Sequence, residues 1–162
     1  MQPSGKKRSD GNGRSDYATH SDFCAVFLQD LDRLSSLALI LTGDEPSAER
    51  CVLAAFDSCV AGIVFNESAA RWSRRSVIKN AIGFVLPAHW NSSRSHLDGD
   101  RIGPTPDLDA SLKCIQDLPA FDRFAFVMSV LEGYSDRECA LLLGCSCADI
   151  PAARIGAFGC AT

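Results

Sequence analysis

Apolar residues recur at steps of three and four through most of the chain, and this pattern limits the fold more than any other feature. Phe23, Val26, Phe27, Leu31, Leu34, Ala38 and Leu41 draw one stripe on a helix. Ser21 or Asp22 is placed to cap its start, and Gly43 to end it. The segment "DEPSAER" then offers a turn and a new start, with Pro46 tolerated in a first turn. Val52, Ala55, Phe56, Cys59, Val60 and Ile63 form a second stripe. After a restart at Asn66, Trp72, Val77, Ile78, Ala81, Ile82 and Val85 form a third. Amphipathic helices bury such stripes against one another, so residues 21–86 are expected to form a small bundle.

The pattern fails over 87–107, "PAHWNSSRSHLDGDRIGPTPD", where Pro, Gly, Ser, Asn and Asp gather as in a flexible linker. Beyond it, Leu108, Leu112 and Ile115 mark one helix. Pro119 opens another, with Phe121, Phe124, Val127, Met128 and Leu131 on its face and Gly133 at its end. "GYSDRECALLLGCSCADIPAARIGAF" (133–158) then predicts two short helices around Gly144, the second capped by Ser146 with Asp149 three residues on. No segment alternates like a strand. The expected architecture is all-α: two small helical domains joined by a flexible linker, with a helix-turn-helix ending the second domain (108–162). Such a pair points its second helix into a major groove. Residues 1–20 are rich in Gly, Ser, Asn and Asp and predict a disordered tail.

Composition excludes several classes. Lys6, Lys7 and Arg8 precede no apolar stretch, so the start does not resemble a secretory signal. No apolar run is long enough to span a bilayer, which gives a cytoplasmic expectation with no membrane partner. In that compartment the eight cysteines are expected as thiols. Most occupy positions where an apolar residue would suit a helix, so core packing is the expected role. Cys145-Ser-Cys147 lacks the spacing of a zinc site, so no metal is assigned. No nucleophile–base pair, phosphate loop or paired carboxylates stand out; neither an enzyme nor a cofactor is expected. His20, His89 and His96 fall in the tail and linker.

"LPAFDRFAFVMSVLEGYSDRECALLLGCS" resembles the C-terminal promoter-reading domain of bacterial RNA polymerase sigma factors of the extracytoplasmic-function type. The elements carrying the resemblance are Leu118-Pro119, Arg123, Phe126 to Met128, Leu131 to Ser135, Glu138 and Leu142 to Ser146. "LSSLALILTGDEPSAERCVLAAF" and "RWSRRSVIKNAI" are similar to segments of the same family's N-terminal domain. The resemblance covers about residues 22–86 and 110–158. It implies an initiation subunit whose first domain docks on core RNA polymerase and helps open the downstream promoter element. Its last domain would read the upstream element, with promoter DNA as ligand and an anti-sigma factor as a further type of partner.

On that resemblance, the polymerase-facing positions are Glu49, Arg50, Leu53 and Ala54. The family usually has an acid where Arg50 stands and a Gln-Glu pair where Leu53 and Ala54 stand, so the docking chemistry is altered here. The DNA-facing positions fall in two groups. In the first, Arg71, Arg74, Arg75 and Lys79 place four bases on a helix with no acid between Ala70 and Trp90. Such a cluster attracts phosphate without reading sequence. Trp72 beside it is suited to stack on an unpaired base or to fill a core, and Asn80 closes the segment. The second group is Ser146, Cys147, Ala148, Asp149 and Arg154 around the second short helix. There Arg154 is the only base, Pro151 crowds the turn before it, and Asp149 opposes phosphate. Three readings follow: an initiation factor with a weakened reading helix, a degenerate sigma-like protein that acts through protein partners and hardly touches DNA, and, with least support, an enzyme or metal sensor using the cysteines.

Overall fold

The computed structural model describes residues 16–86 and 110–159, and within them every regular element is helical. The first bundle comprises α1 (His20–Gln29), α2 (Leu31–Thr42), α3 (Glu45–Val60) and α4 (Ala69–Val85). The second group comprises α5 (Ala110–Gln116), α6 (Ala120–Phe126), α7 (Asp136–Leu143) and α8 (Asp149–Gly159). The predicted linker, 87–107, lies outside the described residues.

Each boundary has a local cause. Thr19, rather than Ser21 or Asp22, is the N-cap of α1; it forms a reciprocal capping box with Asp22, whose carboxylate accepts from the Thr19 N–H at 2.8 Å. The first stripe predicts one helix, but the backbone leaves the helical region at Asp30 (φ −106°, ψ 15°), dividing it into α1 and α2. The break takes a single residue, and the Leu34 N–H already donates to Asp30 O at 2.9 Å, so the apolar register barely shifts. Gly43 (φ +85°) ends α2 in the left-handed region, where a Cβ would be strained. Asp44 caps α3 by accepting from the Ser47 N–H at 2.8 Å, with Pro46 in the first turn.

Residues 16–19, assigned to the tail by composition, are docked. The Ala18 N–H donates to Val64 O at 2.8 Å, and the Tyr17 ring stacks on Phe65 with centroids 5.0 Å apart. Residues 1–15 lie outside the described set.

The α3–α4 seam is built from small side chains: Cys51, Ala55 and Cys59 face Ser73, Ser76 and Val77, and all six are buried. Its polar atoms are satisfied internally. The Cys59 thiol donates to Ser76 Oγ at 3.3 Å, the Cys51 thiol to Val77 O at 3.2 Å, and the Ser73 hydroxyl to Ala69 O at 2.9 Å. Burial pushes the Cys51 and Cys139 thiols up to about 11, which makes them poor nucleophiles. Cys51, Cys59 and Cys139 therefore pack as core residues; Cys24 and Cys145 are half-buried, Cys114 and Cys147 exposed, and Cys160 lies outside the described residues.

The two groups of helices meet on α2, against which α5 and α6 pack, and their buried residues form a continuous apolar cluster from Phe23 to Ala153. Polar contacts reinforce this seam. Gln116 Nε2 donates to Leu39 O at 3.2 Å, near the C-terminal end of α2. Arg123 is buried, donates from Nη1 to Gln116 O at 2.6 Å, and sits so close to Gly43 that a Cβ there would lie 3.9 Å from Nη1. A guanidinium near the end of α2 is favoured by the partial negative charge of its carbonyls.

Candidate nucleic-acid interface

Helix α4 presents the four bases expected from the sequence, but it divides them between two surfaces. Trp72, Arg75 and Lys79 follow one another at steps of three and four residues, and with Ser58, Ser76 and Asn80 they line an open cleft of about 100 Å³. Trp72 is 40% exposed, with its Nε1 beside Gly62, where a Cβ would come within 3.8 Å. Its ring is therefore accessible at the edge of the bundle rather than filling the core. Arg75 and Lys79 have no carboxylate partner among the described residues, and no group in the cleft is acidic. Asn80 donates from Nδ2 to Ser76 O at 2.8 Å.

Arg71 and Arg74 turn the other way, toward the second group of helices. Arg74 grips Glu132 with two parallel bonds: Nε to Oε2 at 2.7 Å, and Nη2 to Oε1. This bond and the nearby charge of Glu132 raise the Arg74 pKa above its ordinary value against the opposing effect of burial. Arg71 Nη2 lies 3.7 Å from Glu138 Oε1, though Arg71 itself stays largely exposed. The sequence places all four bases together on one face; the structure places Arg75 and Lys79 in the cleft and commits Arg74 to an ion pair.

Local geometry fixes both carboxylates. Helix α6 continues as a π-helical turn over Val127–Leu131, in which the Glu132 N–H donates to Val127 O at 3.0 Å and the Tyr134 N–H to Met128 O at 2.9 Å. Gly133 (φ +69°) then reverses the chain, leaving the Glu132 side chain only 8% exposed against Arg74. Glu138 closes a capping box with Ser135 at the start of α7. The Ser135 N–H and hydroxyl hold the Glu138 carboxyl below the usual carboxylate range.

The α7–turn–α8 pair has the expected outline. Gly144 (φ +66°) ends α7, and Cys139, Leu143, Ile150 and Ala153 are buried, with α8 packed on α6 and α7. The predicted reciprocal cap forms in part: Asp149 Oδ2 accepts from the Ser146 N–H at 3.1 Å, whereas Ser146 Oγ accepts from Ala148 rather than Asp149. Ser146, Cys147 and Ala148 are exposed at the start of α8 and Asp149 is half-buried. Arg154, the one base of this helix, bonds from Nη1 to Asp136 Oδ1 at 3.2 Å on α7. The helix therefore lacks an unpaired cation among the described residues.

Of the predicted polymerase-facing positions, Glu49, Arg50 and Leu53 are exposed on α3 and Ala54 is half-buried. Arg50 folds back along its helix, with Nη2 3.3 Å from Ser47 Oγ and its guanidinium 5.7 Å from the centroid of the exposed Phe84 ring. Arg50 therefore lies over an exposed apolar ring, with the acid Glu49 exposed next to it in the chain. None of the described helices is long and apolar enough to cross a membrane. Compared with known proteins, the chain matches no protein-family model and no curated protein.

Proposed function

We propose that the chain is a sigma-like transcription initiation factor that binds core RNA polymerase and contacts promoter DNA mainly through the cleft on α4. The observation carrying this reading is the set Trp72, Arg75, Lys79 and Asn80: two cations that form no ion pair among the described residues, beside an accessible indole. Cations attract the backbone, and an indole stacks on any unpaired base, so the surface suits single-stranded DNA at an opened promoter. Upstream reading by α8 is weak in this account, because Arg154 is paired with Asp136 and an acid, Asp149, sits in the first turn of the helix. Tethering to polymerase would compensate by raising the effective concentration of α8 at its site.

A second reading, a sigma-like protein acting through protein partners with little DNA binding, is favoured by the Arg154–Asp136 pair and by exposed Leu53 and Phe84 around Arg50. One experiment separates the two: purified chain is mixed with core polymerase and tested for co-elution and promoter-dependent transcripts. Co-elution with transcripts that are lost on changing Arg75 and Lys79 to Ala supports initiation. Co-elution without transcripts supports the second reading, and absence of co-elution counts against both.

A further inference from the structure

Arg74 is the side chain on α4 best suited to phosphate, since its planar fork can bind a phosphate or a carboxylate through two parallel bonds. In this structure that fork is filled by Glu132, 58 residues away in sequence, and Arg71 lies near Glu138 on the same acidic edge. Between the two groups of helices runs a cleft of about 460 Å³ lined by Ala70, Arg71, Arg74, Glu132, Gly133 and Tyr134. Glu132 is held by the π-helical turn and Gly133, and Glu138 by its capping box, so both carboxylates are preset where phosphates would otherwise lie. A stabilising apolar contact does not require an acid at either position. The rest of the seam is already held by α5 and α6 on α2 and by Gln116 on Leu39.

We infer that the edge carrying Glu132 and Glu138 is an internal competitor for nucleic-acid phosphate, holding Arg74 out of use and offsetting the charge of the exposed Arg71 until the two groups of helices separate. This inference rests on the nucleic-acid role assigned to α4 above and adds its regulation. In the closed chain Arg75 and Lys79 act on DNA, while the charge of the exposed Arg71 is offset by Glu138. Separation, on docking to a protein partner or by mass action of the DNA itself, adds the fork of Arg74 and the charge of Arg71 to the same helix. Because the Arg74–Glu132 pair is partly buried, salt screens it less than an exposed pair, so high ionic strength weakens DNA binding before it opens the seam.

The test is an anisotropy titration of the full chain against a labelled single-stranded oligonucleotide and its duplex, comparing wild type, E138Q, E132Q/E138Q and R75A/K79A at two salt concentrations. E132Q/E138Q is expected to bind the single strand about tenfold tighter at low salt. Its log–log salt slope should steepen by about 1.4, two cations at about 0.7 each. E138Q alone removes an exposed carboxylate with little risk to folding, and is expected to give a gain of about twofold. If both Gln variants bind as wild type does while R75A/K79A weakens binding, internal competition is overturned and the nucleic-acid role of α4 stands. If R75A/K79A has no effect, or no variant binds the oligonucleotide, the role of α4 fails and this inference fails with it.

Discussion

Helices α4 and α8 are the two elements to which the proposed function assigns DNA contact, yet they treat their charges in opposite ways. On α4, Arg75 and Lys79 form no ion pair with a carboxylate among the described residues and stand next to an accessible Trp72. On α8, the single base Arg154 is held by Asp136 of the preceding helix, and Asp149 sits in the first turn. The number of basic residues explains part of this difference, and partnering explains more. Arg74 shows why: although it belongs to the basic helix, its pairing with Glu132 makes it as unavailable as Arg154. Counting charges along a helix therefore overstates what that helix can offer to phosphate.

The largest effect should come from removing the free cations. R75A/K79A is expected to lower single-strand affinity by tenfold or more and flatten the log–log salt slope by about 1.4. Its far-ultraviolet helical signal should be unchanged, since both side chains lie outside the core. An unaltered slope in the folded variant would make the α4 cleft an ordinary solvated surface and erase the contrast with α8. A smaller effect of opposite sign is expected on α8. D149K/P151K should strengthen duplex binding about fivefold at low salt, by removing one like charge and adding two cations near the groove. That gain is reduced by loss of the cap in which Asp149 accepts from Ser146, worth about 1 kcal/mol of helix stability.

R154A should change duplex affinity less than twofold, because this guanidinium is already engaged. Its pair with Asp136 is partly solvent-exposed on both sides, so stability should fall by no more than about 1 kcal/mol. A loss of tenfold would show that Arg154 leaves Asp136 to bind phosphate. The smallest effect concerns α3 and α7, whose Cys51 and Cys139 thiols are both raised to about 11 from an ordinary 9.0. A raised folded-state value means that the stabilising contribution is complete below pH 9.0 and is lost as pH rises toward about 11. Denaturant midpoints measured across that window should decline. At pH 8, a thiol reagent should modify Cys114 and Cys147 well before Cys51 or Cys139.

Much of the fold was legible because helical periodicity is a local signal. The stripes of α3 and α4, the new start around Pro46 and the chain turns at Gly43, Gly133 and Gly144 all depend on residues within one or two turns. The break at Asp30 was not legible, since a one-residue departure from helical geometry leaves the apolar register almost intact. Docking of Tyr17 on Phe65 was hidden for a different reason: its polar, Gly-rich surroundings dominate the composition of the first twenty residues. At the candidate site, the spacing of Arg71, Arg74, Arg75 and Lys79 placed all four bases near one helical face, with Trp72 and Asn80 beside them. The structure keeps only Arg75 and Lys79 in the cleft with Trp72 and Asn80. The capture of Arg74 by Glu132 was not legible, because it joins residues far apart in the chain through a π-helical turn that no sequence spacing announces. Arg154 was correctly singled out as the sole base of α8, but its partner Asp136 lies on another helix and only packing reveals it.

The central claim, that nucleic acid meets this chain at the α4 cleft, is tested most directly through Trp72. The chain contains two tryptophans, so W90F leaves Trp72 as the only indole. Its emission can then be followed while single-stranded or duplex DNA is added to the intact chain. The account predicts quenching by the single strand at lower DNA concentration than by the duplex, and loss of that quenching in the R75A/K79A background. Unchanged Trp72 emission at DNA concentrations where anisotropy shows the chain to be bound would contradict it, and would move the contact away from α4.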